Sequence, residues 1–175
     1  MTTTTSTTPA ASPSPTTDLS DAFSDDADAK LQYLAPGWRD FGGIKTFAGP
    51  ARTLSTLDDN TKVRAQVESP GQGRVLVVDG GASMNCALFG GNLAQLAAQN
   101  GWAGIIINGC VRDTLELQAE AVGIKALATH PKKSVKRDLG ELDVPLSFGG
   151  VTVNSGDWVY ADEDGVLVAA KSLAL

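Results

Sequence analysis

Arg74-Val75-Leu76-Val77-Val78-Asp79-Gly80-Gly81, followed by Gly104-Ile105-Ile106-Ile107-Asn108, is the part of the chain that decides its fold. Each run is short, apolar and unbroken, and each is closed by glycine or a polar residue. Such a run reads as a strand buried on both faces, because a half-exposed strand would alternate apolar and polar residues. Gly80-Gly81 is read as the end of the first strand. Residues 91–100 read as a helix between the two runs, opened after Gly90 and stopped at Gly101. Strand, helix and buried strand in that order form a parallel α/β unit. The helical segment, Asn92-Leu93-Ala94-Gln95-Leu96-Ala97-Ala98-Gln99-Asn100, contains no charged residue. A surface helix normally carries a charged outer face. This one is expected to be covered on more than one side, either by the chain's own loops or by a second subunit.

Working outward, residues 43–53 read as a strand with a bend or edge position at Gly49-Pro50. Residues 61–68 read as a short amphipathic helix that leads into a turn at Pro70-Gly71-Gln72-Gly73. Residues 109–113 form the turn after the isoleucine strand, and Asp113 is placed to cap a short helix reaching about residue 121. Residues 123–129 make a third strand. Residues 144–169 are short β segments separated by Gly149-Gly150, Asn154-Ser155-Gly156 and Asp162-Glu163-Asp164-Gly165. The class is α/β, with an α/β/β/α, barrel-like layering favoured over a simple doubly wound sheet. Residues 1–28, Thr/Ser/Pro-rich and then acidic, are assigned to a disordered tail, with a short docking helix allowed over residues 18–28. Residues 29–175 form one domain.

Composition narrows the function. At 175 residues, 42% hydrophobic and 19% charged, the chain suits a single globular domain. A net charge of −6 argues against general nucleic-acid binding. No apolar run approaches the roughly 20 residues needed to span a bilayer. With no signal-peptide pattern, Cys86 and Cys110 are expected to be reduced thiols in a cytoplasmic protein. The single histidine, His130, removes the usual imidazole-rich zinc sites and most Ser-His-Asp schemes. No Gly-x-Gly-x-x-Gly loop is present to support a nucleotide or methyl-donor site. Lys132-Lys133-Ser134-Val135-Lys136-Arg137 reads as a solvated loop, with contact to a polyanion or to the acidic N-terminal arm as its other reading. Trp38, Trp102 and Trp158 read as packing residues.

Chemistry is expected beyond the carboxyl ends of the parallel strands. Three clusters fall there: Asp79-Gly80-Gly81, Gly90-Gly91-Asn92-Leu93 at a helix start, and Arg112-Asp113. A helix start offers unpaired N–H groups and a partial positive charge to a substrate carboxylate. Arg112 can grip a carboxylate with two parallel hydrogen bonds. Asp113 is a hard oxygen ligand suited to Mg²⁺ or Mn²⁺.

These segments also resemble a known family, that of regulator of ribonuclease E activity A and the 4-hydroxy-4-methyl-2-oxoglutarate aldolases. The likeness is carried by Val77-Val78-Asp79-Gly80-Gly81, Ala87-Leu88-Phe89-Gly90-Gly91-Asn92-Leu93, Asn108-Gly109-Cys110-Val111-Arg112-Asp113 and Gly156-Asp157-Trp158-Val159-Tyr160-Ala161-Asp162. It implies a swivelling β/β/α fold and a homotrimer. For the aldolase branch it implies a class II, divalent-metal-dependent lyase that releases pyruvate from a 2-oxo acid by retro-aldol cleavage, with oxaloacetate decarboxylation as a side activity. By position, Gly90, Gly91, Asn92 and Leu93 would line the substrate site, Arg112 would hold the pyruvyl carboxylate, and Asp113 would bind the metal. Aldolase members carry an acidic residue at the position of Gly91, and this chain does not. The regulator branch implies a non-catalytic protein that binds and inhibits a ribonuclease partner.

Overall fold

The computed structural model describes residues 12–175, so the Thr/Ser/Pro-rich stretch up to residue 11 lies outside the described residues. In chain order the elements are α1 (Thr16–Phe23), β1 (Gln32–Tyr33), β2 (Arg39–Asp40), β3 (Phe47–Ser55), α2 (Thr61–Val67), β4 (Val75–Phe89), α3 (Gly91–Gln99) and β5 (Gly104–Val111). They continue as α4 (Thr114–Ala119), β6 (Gly123–Thr129), β7 (Glu141–Leu142), β8 (Leu146–Phe148), β9 (Val151–Val153), β10 (Trp158–Ala161) and β11 (Val166–Ala169). The main sheet has the order β1-β11-β10-β3-β4-β5-β6-β2, with β7 also paired to β3.

Strand β3 joins the two halves of this sheet. Its first residues, Phe47 to Pro50, pair antiparallel with β10, and its last, Ala51 to Ser55, pair parallel with β4. The bend expected at Gly49-Pro50 is thus where the chain passes from one half to the other. It is an interior position of the sheet and not an edge.

The apolar runs are buried on both faces, and their residues divide by parity. Leu76 and Val78 of β4, with Ile105 and Ile107 of β5, join a core shared with Val63 and Val67 of α2 and Leu93, Ala94 and Ala97 of α3. Val75, Val77 and Ile106 face the other way, onto Val159, Ala161, Val166 and Val168 of the antiparallel half. A third, smaller core holds Leu19 of α1 against Tyr160 and Leu167. The layers therefore run α2–α4, parallel strands, antiparallel strands, α1, which is the α/β/β/α order read from the sequence. Among the described residues no helix is long and apolar enough to cross a membrane.

Two expectations are corrected. The tail assigned to residues 1–28 contains ordered structure from Thr16 onward, where the short docking helix allowed over residues 18–28 forms as α1. Leu19 is fully buried, and Asp162 accepts hydrogen bonds from the Thr16 N–H (2.7 Å) and Thr16 Oγ1 (2.8 Å). One buried leucine and a carboxylate cap borrowed from residue 162 hold a segment whose composition resembles a linker. Strand β4, for its part, does not stop at Gly80-Gly81. Gly81 and Ala82 take φ of +64° and +55°, and the register against β5 slips between Asp79 and Ser83. The pair is a bulge inside one long strand. Asp79 Oδ1 holds it, accepting from Asn108 Nδ2 (2.8 Å) and from the Gly81 N–H (2.9 Å).

Close packing fixes the sheet where β5 and β6 begin. Gly104 and Gly123 are cross-strand partners, and the Phe47 ring lies across both. A Cβ at Gly104 would meet Phe47 Cδ2 at 2.2 Å, and one at Gly123 would meet Phe47 Cδ1 at 2.0 Å. Gly123→Ala is therefore expected to cost about 1–3 kcal/mol, a drop of roughly 2–12 °C in Tm. Gly165→Ala, where a Cβ meets nothing within 4 Å, should leave Tm unchanged. Calorimetry on the two variants checks the difference.

Candidate active site

The β4–α3 and β5–α4 connections lie side by side and build the site. Gly90 is extended and begins α3 with no side-chain cap of its own, and the Leu93 N–H donates back to its carbonyl at 3.1 Å. Among the described residues the Asn92 N–H donates to no protein group. Arg112 follows β5, and its N–H donates to the Phe89 carbonyl at 2.9 Å. Asp113 takes the left-handed conformation, φ 62° and ψ 48°. That turn carries its carboxylate back to α3, where Oδ2 accepts the Gly91 N–H at 3.0 Å. The expected cap on α4 is not made, because the side chain serves the neighbouring helix. Arg112 Nε lies 3.8 Å from Asp113 Oδ2, with the two side chains 39% and 38% exposed.

Side chains of the Arg112–Asp113 turn and of α4 pack closely against both glycines. A Cβ at Gly90 would meet Asp113 Oδ2 at 2.6 Å and Arg112 Cγ at 3.2 Å. A Cβ at Gly91 would meet Glu116 Oε2 at 1.8 Å and Glu116 Cβ at 2.8 Å. The space beside α3 that a side chain at position 91 would fill is therefore taken by a carboxylate from α4. Sequence reading found the gap at Gly91 but not Glu116, because the two meet only through the packing of α4 against α3.

A cleft of about 680 Å³ opens in front of this turn. Of the predicted residues it brings together Gly90, Asn92, Leu93, Arg112 and Asp113. Gly91 is buried behind them, and its N–H is spent on Asp113. Leu93, 5% exposed, belongs as much to the core as to the cleft. Asp79 does not line the cleft; it holds the bulge in β4. Asp162 caps α1. The opposite wall was not foreseen. It consists of Asn60 and Arg64 at the start of α2 and Lys132, Lys133, Ser134, Val135 and Lys136 of the basic run.

That run is the exposed loop read from the sequence, apart from buried Ser134, and it is fixed in place. The Ala87 N–H donates to the Lys132 carbonyl at 2.8 Å, and Lys133 forms a parallel bridge with Ala87. Ser134, 6% exposed, accepts the Asn60 N–H at 3.2 Å. Asp59 is the main anchor. It is fully buried and accepts from the Arg137 N–H (2.6 Å), the Leu139 N–H (3.2 Å), and the N–H and Oγ1 of Thr61 (2.8 and 2.7 Å). One carboxylate thus caps α2 and pins the far end of the basic run. Burial alone would raise its pKa, but the hydrogen bonds to the charged form outweigh burial and hold it at about 2.

A folded-state pKa below the unfolded one stabilises the fold above the unfolded value, and this contribution is lost as pH falls through the folded value. The Asp59 contribution, roughly 2 kcal/mol, should therefore be complete at neutral pH and fade between about pH 4 and pH 2. Asp59→Asn should lower stability at neutral pH by a similar amount and flatten the dependence over that window. Urea unfolding across the acid range measures both.

The RraA-like family, Aldolase/RraA, matches residues 16–168. A protein of Burkholderia multivorans named "Putative 4-hydroxy-4-methyl-2-oxoglutarate aldolase" is 58% identical over 159 residues, which is 90% of this chain and 97% of that one. The solved structure of the RNA-processing inhibitor RraA from Thermus thermophilis is similar at TM-score 0.87 and 46% identity, covering 93% of this chain and 96% of the other. A structure from Geobacillus kaustophilus, named as an S-adenosylmethionine:2-dimethylmenaquinone methyltransferase, is similar at TM-score 0.86 and 45% identity, covering 91% and 97%.

Proposed function

The chain belongs to the RraA-like family, Aldolase/RraA, and on that premise we propose that it is a divalent-metal-dependent lyase. It cleaves 4-hydroxy-4-methyl-2-oxoglutarate-type 2-oxo acids to pyruvate, with oxaloacetate decarboxylation as a side activity. The observation that carries this reading is the left-handed turn at Asp113. It sets a guanidinium, a carboxylate and an open helix start at the mouth of one cleft.

Asp113 suits a Mg²⁺ or Mn²⁺ ion. Oδ2 is held by the Gly91 N–H, while Oδ1 accepts no hydrogen bond among the described residues. A hard cation can bind through a single carboxylate and keep most of its water, and Asp113 supplies that carboxylate. Bound there, the ion would polarise the 2-oxo group and favour negative charge on its oxygen. Arg112 would hold the adjacent carboxylate by paired hydrogen bonds and orient the 2-oxo group toward Asp113. The unpaired Asn92 N–H and the positive end of α3 would add donors facing the same oxygens. Cleavage breaks the C3–C4 bond. Its electron pair goes to C3 as the enolate of pyruvate, the C4 hydroxyl gives up its proton to become a ketone, and C3 then takes a proton. Loss of CO₂ from oxaloacetate leaves the same enolate. The uncharged α3 and the 82% exposure of Leu115 beside the site support a covered face between subunits, and the family resemblance makes that assembly a homotrimer.

A second reading has one support, the likeness to RraA of Thermus thermophilis, named as an RNA-processing inhibitor. In that reading the chain binds a ribonuclease and does no chemistry.

Pyruvate release from 4-hydroxy-4-methyl-2-oxoglutarate and from oxaloacetate, with Mg²⁺ and with chelator, separates the two. The lyase should need the metal, lose about 100-fold or more in kcat/KM as Arg112→Ala, and lose its metal response as Asp113→Ala. Turnover of neither substrate, together with ribonuclease inhibition that survives Asp113→Ala, would replace the lyase with the regulator.

A further inference from the structure

Among the described residues the lysines of the cleft wall have no carboxylate partner. Five basic side chains line the cleft, Arg64, Arg112, Lys132, Lys133 and Lys136, against one carboxylate, Asp113. Arg64 is occupied by Glu68 at 2.8 Å, and Arg112 lies beside Asp113. Among the described residues Lys132, Lys133 and Lys136 pair with no carboxylate. Three like charges on one short segment repel one another, and an acidic protein has ample carboxylates to offset them. The segment is nevertheless held to Ala87 through the Lys132 carbonyl and the Lys133 bridge, to Asn60 through the Ser134 hydroxyl, and to Asp59 through the Arg137 N–H. The lysines are thus kept facing a cavity, across from the Arg112–Asp113 turn.

From this we infer that Lys132, Lys133 and Lys136 receive a second carboxylate of the substrate, and that they set the selectivity of the site for dicarboxylic 2-oxo acids over monocarboxylic ones. The inference rests on the lyase reading for the near end of the substrate, where Arg112 takes the 2-oxo acid. The far end is argued from charge. A second carboxylate entering this cleft meets three lysines, with Asp113 the one carboxylate among the lining residues; Asp58 shares an adjoining pocket with Lys132 and Lys133, and its carboxylate accepts from Ser83 and Asn85. A methyl group in its place leaves those cations facing an apolar end. Lysine suits this task because its point charge on a flexible stem can follow a carboxylate without demanding one geometry. The cleft is open and wet, so the gain is set by screened charges and not by a dry ion pair.

Calorimetry with 2-oxoglutarate and 2-oxopentanoate, which share the 2-oxo acid and chain length and differ in the far carboxylate, tests this directly on the full chain with Mg²⁺ present. The wild type should bind the dianion at least about 10-fold more tightly. That ratio should shrink as salt is raised. Lys132→Met/Lys133→Met/Lys136→Met should bring it to about 1, while the corresponding triple arginine variant, which keeps the charge, should retain it. Circular dichroism confirms that each variant is folded. Equal affinity for the two acids in the wild type, a ratio that survives the methionine variant, or no binding of either acid would overturn the inference. The ratio is read without turnover. A chain that shows it but releases no pyruvate keeps this subsite and loses only the lyase reading.

Discussion

The Gly91 N–H to Asp113 Oδ2 hydrogen bond, 3.0 Å long, is the contact from which the rest of the site takes its geometry. It closes a bridge between the end of β5 and the start of α3, and it can form only because Asp113 adopts a left-handed backbone. A non-glycine residue there costs conformational energy, though aspartate tolerates it better than most. Gly90 and Gly91 complete the arrangement by leaving room for Asp113 and Glu116. Once the bridge is closed, Arg112 has little freedom, since its N–H is bound to Phe89 and its side chain lies against the same carboxylate.

The cleft has two walls of different chemistry, held by different means. The Arg112–Asp113 side is fixed by a strained turn and two glycines. The lysine side is fixed by a buried carboxylate, Asp59, that caps α2 and pins the basic run at once. Asp59 touches nothing in the cleft, yet a fault there would move Lys136 and Arg64 together, because both are attached to it through the backbone. The two walls depend on separate anchors, so damage to one need not deform the other.

The parts of this architecture legible in the sequence are those that rest on local patterns. Val75 to Val78 and Ile105 to Ile107 announce a doubly buried sheet by being apolar without interruption. Gly101 stops α3 where expected, with φ of +76°. The residues that would bind a small acid were found because glycine, arginine and aspartate sit at strand and helix ends. What escaped depends on contacts between distant segments. Strand β4 continues past Gly80-Gly81 because Asn108 and Asp79 bridge the bulge. Helix α1 is held by one leucine and by Asp162. The basic run reads as solvated loop because nothing in Lys132 to Arg137 records that Ala87, Asn60 and Asp59 will hold it over a cleft. Glu116 stands beside Gly91 only after α4 packs on α3, so no spacing rule links the two.

The central claim is that Arg112 and Asp113 act together, the one on an acid and the other on a divalent ion. Oxalate is a direct probe, since its paired oxygens resemble the enolate of a 2-oxo acid. Titration of oxalate by calorimetry, with Mn²⁺ and with chelator, should show binding only when the ion is present, and neither Arg112→Ala nor Asp113→Ala should retain it. Oxalate binding that is unaffected by chelator, or that persists in Asp113→Ala, would contradict the account.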